Sequence, residues 1–504
     1  MRFSTILSVT LLSFSLATTL PYAIDAANAN DAPISNYIGD IVFDGECLWV
    51  ATGSGVSRTC DGGITWETYL DGKSFSAMTY GYGSVYLASS FDTVSAGEGI
   101  PVGEGLYRSY TSEPISFEKL TPWQLVYVPG TSFFAMLSYD ICFVPLDTDT
   151  AILSANWYGG LSRSLDWGQT WELINWNCFV NEDSGTVSWL FIPAEQDTIR
   201  EFVSNNSAYN NRKFFAIASD TSIDFPIIYI ATASGIFAVQ DTVFWRADPD
   251  RGLLGSWCVA LAVQYRDTGE NVIWAASRSA ADGESDGICF SIDNGHSWDT
   301  LFSDTVFTEI DDSVYEEHIP IYVMCWNIAY CGDTVFFACE QGFYRTVDRE
   351  NVEKVDIVDF VTGERLPMDV MISVIVVGET LWVGSDFGLA YSTDCGVTFR
   401  ILIHKAEIEE GRTYAFPSPF SPHEYGSIFF VFDNDVKGNA EAMIFDFALD
   451  EVATIVKYVD IGDEQSIQWD GKKTNGEYPA NGIYFYKISL PDGRELWGKF
   501  AFIR

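Results

Sequence analysis

Four stretches of this sequence set an aspartate in the same surroundings. They are Thr59-Cys60-Asp61-Gly62-Gly63-Ile64-Thr65-Trp66, Ser164-Leu165-Asp166-Trp167-Gly168-Gln169-Thr170-Trp171, Ser291-Ile292-Asp293-Asn294-Gly295-His296-Ser297-Trp298 and Ser392-Thr393-Asp394-Cys395-Gly396-Val397-Thr398-Phe399. A carboxylate could work as an acid, a base or a cation ligand. At this spacing it can also accept the amides and hydroxyls of its own turn. The glycines Gly63, Gly168, Gly295 and Gly396 suit left-handed backbone. The aromatics Trp66, Trp171, Trp298 and Phe399 can each bury roughly 150–250 Å². Scaffolds repeat, whereas a catalytic centre is built once. We therefore read Asp61, Asp166, Asp293 and Asp394 as structural and assign no catalytic residue.

Other candidates are fewer. Asp282-Gly283-Glu284-Ser285-Asp286-Gly287 alternates carboxylates before a glycine, a pattern that suits a hard cation. Asp282, Glu284 and Asp286 are thus candidate calcium ligands, and no other cofactor is expected. Position twelve of a loop that starts at Asp282 is Asp293, where a helix-flanked calcium loop wants Glu. None of the four histidines is paired at ligand spacing, and no phosphate-loop or dinucleotide fingerprint occurs. Arg58, Arg108, Arg163 and Arg345 each precede a Ser or Thr at the start of such a turn or its remnant, a repetition that packing predicts. Glycoside hydrolysis needs two carboxylates, and among 70 acidic residues a pair on one face is unavoidable. Trp157, Tyr158 and Trp176 could stack on sugars or peptides.

These residues must be positioned by strands. Seven copies of an apolar strand end on a small residue. The first is Leu48-Trp49-Val50-Ala51; the others run from Val85 to Ala88, Ala151 to Ser154, Ile228 to Ala231, Val272 to Ala275, Val335 to Ala338 and Leu381 to Gly384. After a turn, each copy has a glycine and an apolar residue, beginning with Gly55-Val56 and ending with Gly388-Leu389. Glycine accepts the positive φ of tight hairpins. Thr346-Val347-Asp348 reads as a decayed fifth turn and Ser109 to Phe117 as a sixth. The repeat predicts an all-β chain whose residues 30–410 form a seven-bladed β-propeller. The gap from Trp171 to Ile228 leaves room for an eighth blade near Val187 to Pro193. The turn motif resembles the Asp-box of sialidase-like propellers. Insertions at 89–105, 174–226, 277–287 and 300–321 should share the face opposite those turns, and binding is expected there.

Residues 1–29 read as a signal peptide: Arg2, an apolar run from Ile6 to Leu20, then small residues. Residues 411–423, with Phe416-Pro417-Ser418-Pro419-Phe420-Ser421-Pro422, read as a Pro-rich linker. Residues 424–504 alternate like a small Ig-like β-sandwich. Pro417 to Pro422, Trp469-Asp470-Gly471-Lys472, Ala480-Asn481-Gly482-Ile483-Tyr484 and Gly498-Lys499-Phe500 resemble type IX secretion sorting domains and the Ig-like domain of the flagellar hook-capping protein. Ser418 and Ser421 stand where that family has asparagine. The resemblance implies export machinery as a partner and an address that is secreted or at the outer-membrane surface of a Gram-negative-type bacterium.

The net charge of −42 repels phosphate backbones and excludes nucleic acid as a partner. Ten cysteines without a zinc pattern leave one or two disulfides open in an oxidising compartment. No span is expected after signal cleavage. The reading is a non-catalytic propeller that binds an extracellular protein or glycan. The alternative is an extracellular glycoside hydrolase using two carboxylates on the inserted-loop face.

Overall fold

The computed structural model describes residues 32–504, apart from 96–97, 113, 121–124, 128–132, 136, 146–149, 158–159, 175–190, 194–212, 224, 241–242, 267–268, 270, 304, 311–312, 319–323, 367–369 and 405–410. The expected signal peptide, Tyr158 and Trp176 lie outside the described residues.

The described chain is all-β. Residues 38–402 contain seven antiparallel sheets in each of which four successive strands pair in chain order, and a separate hairpin of Thr305–Ile310 with Ser313–His318 between the fifth and the sixth. Sheet one begins with Ile38–Phe43, Leu48–Thr52, Gly55–Thr59 and Glu67–Tyr69. The first strands of the other six are Ser74–Gly81, Ser138–Pro145, Phe214–Asp220, Trp257–Gln264, Cys325–Cys331 and Met371–Val377. Sheets two and three carry extra strands. One of these, Phe191–Pro193, pairs with Glu172–Ile174, so the place considered for an eighth unit extends the third sheet instead. Each first strand packs on the first strand of the next sheet, and the seventh returns to the first. A shared core of Ile38, Val50, Trp66, Trp382 and Leu389 joins sheets seven and one.

The four aspartate turns make one set of bonds. Each Asp Oδ1 accepts the backbone N–H of Thr65, Thr170, Ser297 or Thr398 at 2.8–2.9 Å, and each Oδ2 accepts that residue's hydroxyl at 2.6–2.7 Å. The leading Ser or Thr hydroxyl donates to the same carboxylate and accepts the glycine N–H. The Thr65 hydroxyl, then its amide, hold Asp61 down at about 2. The motif glycines have φ of 80–92° and lie against the preceding sheet. A Cβ on Gly63 would meet Trp382 at 3.1 Å, on Gly295 Tyr229 at 3.3 Å, and on Gly396 Phe336 at 2.9 Å. The turns therefore also join neighbouring sheets, which only glycine permits at that approach.

The repeated arginines pair across the third and fourth strands of their sheets: Arg58 with Glu67, Arg108 with Glu118, Arg163 with Glu172 and Arg345 with Glu353. They stand in four sheets and do not converge. Disulfides join Cys47 to Cys60 within sheet one and Cys331 to Cys395 between sheets six and seven.

From Thr413 a second unit begins. One sheet holds Thr413–Phe416, Ile428–Asn434 and Gly462–Trp469; the other holds Glu451–Val459, Gly438–Phe445, Gly482–Ser489 and Glu495–Phe502. Phe420, Phe430, Trp469, Tyr486 and Phe500 are in its core. This corrects the linker expected over 411–423. Thr413–Phe416 is an edge strand, and Phe420 is fully buried and bonded through its backbone to Ala501 and Ile503. Proline is tolerated at such an edge because no ladder N–H is needed there. The unit docks on the loop before sheet seven. Glu364 accepts bonds from Lys457 Nζ at 2.5 Å and Ser466 Oγ at 2.9 Å, and the Gln468 side chain pairs with the Arg365 backbone.

Candidate functional site: a central cavity lined by seven bulges

All seven first strands carry a β-bulge at the same place. The register slips between Ile38 and Asp40, Phe75 and Ala77, Ser138 and Asp140, Phe214 and Ala216, Cys258 and Ala260, Cys325 and Asn327, and Met371 and Ser373. A bulge leaves one residue outside the ladder and re-aims its side chain. The seven extra residues are Gly39, Ser76, Tyr139, Phe215, Val259, Trp326 and Ile372. All seven line one cavity of about 180 Å³.

The cavity lies at a defined end of the strands. The turn after the second strand bonds back to the residue just before the first: Gly53 N–H donates to Tyr37 O, Trp157 to Leu137, Ala233 to Lys213 and Glu340 to Met324. The bulges thus sit beside these turns, the inserted-loop face. The aspartate turns follow the third strands and lie at the other end.

The wall is uneven in chemistry. Tyr139, Phe215, Trp326, Val259 and Ile372 form an apolar arc, whereas Asp40, Ser76, Asp140 and Asn327 supply polar groups. Tyr139 and Phe215 of the arc pack ring to ring with Trp157 and Trp257, with centroids 5.6–6.3 Å apart. The Lys213 ammonium lies 4.2 Å from the Trp157 ring and 4.6 Å from the Trp257 ring, a double cation–π contact. Burial pushes its pKa down to about 8.

Two carboxylates reach between sheets. Asp40 Oδ2 accepts the Met78 N–H at 2.6 Å, and Asp140 Oδ2 accepts the Ile217 N–H at 2.7 Å. Burial raises Asp40 to about 7, against the Met78 amide and with help from the Asp140 charge. Burial likewise raises Asp140 to about 6. On the same face, in the turn of sheet seven, burial and the nearby Glu340 raise Asp386 to about 7.

The residues singled out in the sequence fall in three places. The aspartate turns are remote from the cavity. Trp157 belongs to the aromatic cluster behind its wall. Asp282, Glu284 and Asp286 do not converge: Glu284 accepts the N–H groups of Ser256 and Ala280, Asp286 accepts Ser279 N–H, and among the described residues no three such groups could hold a metal ion. Sequence reasoning missed Asp40, Tyr139, Asp140, Lys213, Phe215 and Trp326. One signal was present. Asp40-Ile41-Val42-Phe43 and Asp140-Ile141-Cys142-Phe143 repeat each other.

No family model and no curated protein matches the chain. Among solved structures it resembles PorZ, described as an essential surface component of the type-IX secretion system of Porphyromonas gingivalis, at 12% identity, TM-score 0.27, over 93% of this chain and 75% of that one. YCF48 from Cyanidioschyzon merolae matches at 14% identity, TM-score 0.38, over 72% of this chain and 95% of that one. The extracellular domain of BT4673 from B. thetaiotaomicron matches at 11% identity, TM-score 0.22, over 93% and 81%. Values this low carry no inference, so the architecture rests on the strand pairing above. Among the described residues no helix is long and apolar enough to cross a membrane.

Proposed function

We propose that this chain is a secreted, non-catalytic seven-bladed β-propeller that holds one ring of an extracellular glycan in its central cavity. One observation carries the reading. The bulge position is equivalent in all seven sheets, yet it bears seven different side chains. Scaffold positions repeat their chemistry, as the Arg–Glu pairs and aspartate turns do. A ligand site departs from the symmetry. An apolar arc with carboxylate, amide and hydroxyl groups beside it on the wall suits a sugar ring, which has an apolar face and polar edges. The cavity of about 180 Å³ is smaller than drug-sized sites, which span roughly 300–1,000 Å³, so it takes one ring or side chain. A glycan array read with the Tyr139→Ala and Trp326→Ala variants tests this. Retained binding in both variants sinks the glycan reading, and binding to a peptide alone moves the ligand to the protein class.

A second reading, a glycoside hydrolase, is favoured by Asp40 and Asp140, two carboxylates on one wall whose acid forms are stabilised by burial. Against it, each already accepts an N–H of the neighbouring sheet. Turnover of a glycoside panel, lost in Asp40→Asn, would establish it.

The C-terminal unit is read as an Ig-like sorting module that delivers the propeller to the export machinery, with residues 1–29 as the signal for the inner membrane. The motifs from Pro417 to Pro422 and at Trp469-Asp470-Gly471 support this. A chain ending before Thr413 should accumulate in the periplasm. Its normal appearance outside the cell removes the assignment.

A further inference from the structure

We infer that Cys325 and Cys339 are joined by a third disulfide in the mature protein, one that locks the strand end presenting Trp326 to the cavity. The two residues are Cα partners on adjacent antiparallel strands, so their side chains leave the same face of the sheet. Both are fully buried in one core cluster, and both are free thiols in this structure. Directly opposed residues in such strands have Cα atoms about 4.5–5.5 Å apart, inside the range a disulfide spans.

The repeat supplies the independent argument. In the other sheets the position of Cys339 holds Thr52, Ser89, Asn156, Thr232, Ser277 or Ser385. Five of these six donate a hydrogen bond to the glycine carbonyl of the following turn: Thr52 to Gly55, Ser89 to Gly105, Asn156 to Gly160, Thr232 to Gly235 and Ser385 to Gly388, at 2.8–3.1 Å. Among the described residues Cys339 makes no such bond. Sheet six thus lacks the polar turn brace and has instead a second cysteine directly across the ladder. A covalent link would supply a restraint in place of the polar brace of those five sheets. Trp326 follows Cys325 immediately, so the bond also fixes the bulge.

The chemistry balances by thiol–disulfide exchange. The two thiols lose two protons and two electrons to form one S–S bond, and the disulfide of a protein dithiol oxidase is reduced to its dithiol. The same class of oxidant must supply Cys47–Cys60 and Cys331–Cys395.

The test is alkylation of the secreted full-length protein after denaturation without reductant, followed by digestion and mass spectrometry. Cys142, Cys258 and Cys289 should be alkylated. Cys325 and Cys339 should be recovered unmodified in one linked peptide pair, lighter by two hydrogens. Complete alkylation of both, with Cys47–Cys60 still linked in the same sample, overturns the inference, as does a link from either one to another cysteine. In a second arm, Cys339→Ser installs a hydroxyl like that of Ser89 or Ser385. Cys325 should then become fully alkylated in a folded chain.

Discussion

The Asp40 carboxylate crosses from the first sheet to the second and accepts the Met78 N–H at 2.6 Å. It is half-buried on the cavity wall, and desolvation there lifts its folded pKa to about 7, above the ordinary carboxylate range. The folded state therefore holds this proton more tightly than the unfolded chain. The resulting stability is present below pH ~4 and is lost as pH rises toward 7. Replacing Asp40 by Asn removes the titration. The melting temperature of Asp40→Asn relative to the parent should rise from pH 5 to about pH 7 and level off above it. A difference that stays flat over that range would show that Asp40 titrates normally.

Glycines in the aspartate turns differ in what surrounds them. Gly62 has φ of 75° with nothing near its missing Cβ, whereas Gly396 has φ of 80° and would place a Cβ 2.9 Å from Phe336. Alanine at either position costs roughly 1–2 kcal/mol of left-handed strain. Overpacking adds about 1–3 kcal/mol at Gly396 alone. Urea unfolding should therefore rank Gly396→Ala well below Gly62→Ala. Equal losses would mean that the turn does not press on the preceding sheet.

Cavity variants separate binding from folding. Tyr139→Ala and Trp326→Ala should each weaken glycan affinity at least tenfold, because stacking of the sugar ring depends on the aromatic surface removed. Asp61→Ala, at the opposite end of the strands, should leave affinity unchanged while lowering thermal stability. A loss of affinity in Asp61→Ala equal to that in Tyr139→Ala would place the ligand elsewhere.

Glu364 is the hub of the contact between the two units, bonded to Lys457 and Ser466. Glu364→Ala combined with Gln468→Ala should release the C-terminal unit, raising the radius of gyration in small-angle scattering while leaving the strand content by circular dichroism unchanged. An unaltered scattering curve would show that the remaining contacts, such as Phe387 on Tyr425, suffice.

What could be read in the sequence was what is local. Asp61 finds its partners among Thr59, Ile64 and Thr65, all within four residues, so the turn is written in one window. The strand repeat was equally visible, but its alignment slipped in two copies. Ala155 and Ala276, not Ser154 and Ala275, stand opposite the bulge as Ala51 does. That register is set by the first strand, which the copies were not aligned on. The cavity was hidden for the same reason. A bulge is a relation between two strands, and no single strand shows that Phe215 or Trp326 has left its ladder. Proline misled at Pro417 and Pro419, where an edge strand and the buried Phe420 look like a hinge in one dimension. Cys331–Cys395, whose ends are 64 positions apart, could not have been guessed.

Each of the seven sheets is cut from one uninterrupted stretch of chain, and the join between the last and the first is made by side chains and backbone. Asn36 donates to the His404 carbonyl and accepts its N–H, across a separation of 368 residues, and Ser373 Oγ donates to Ile38 O. Among the described residues no strand is exchanged to fasten the two ends. A chain emerging from a pore N-terminus first can thus complete sheet after sheet as it appears. The flank of sheet one, including Ile38 and Trp66, stays wet until residue 404 arrives. The seam between sheets seven and one is accordingly where mechanical pulling on the termini should open the molecule first.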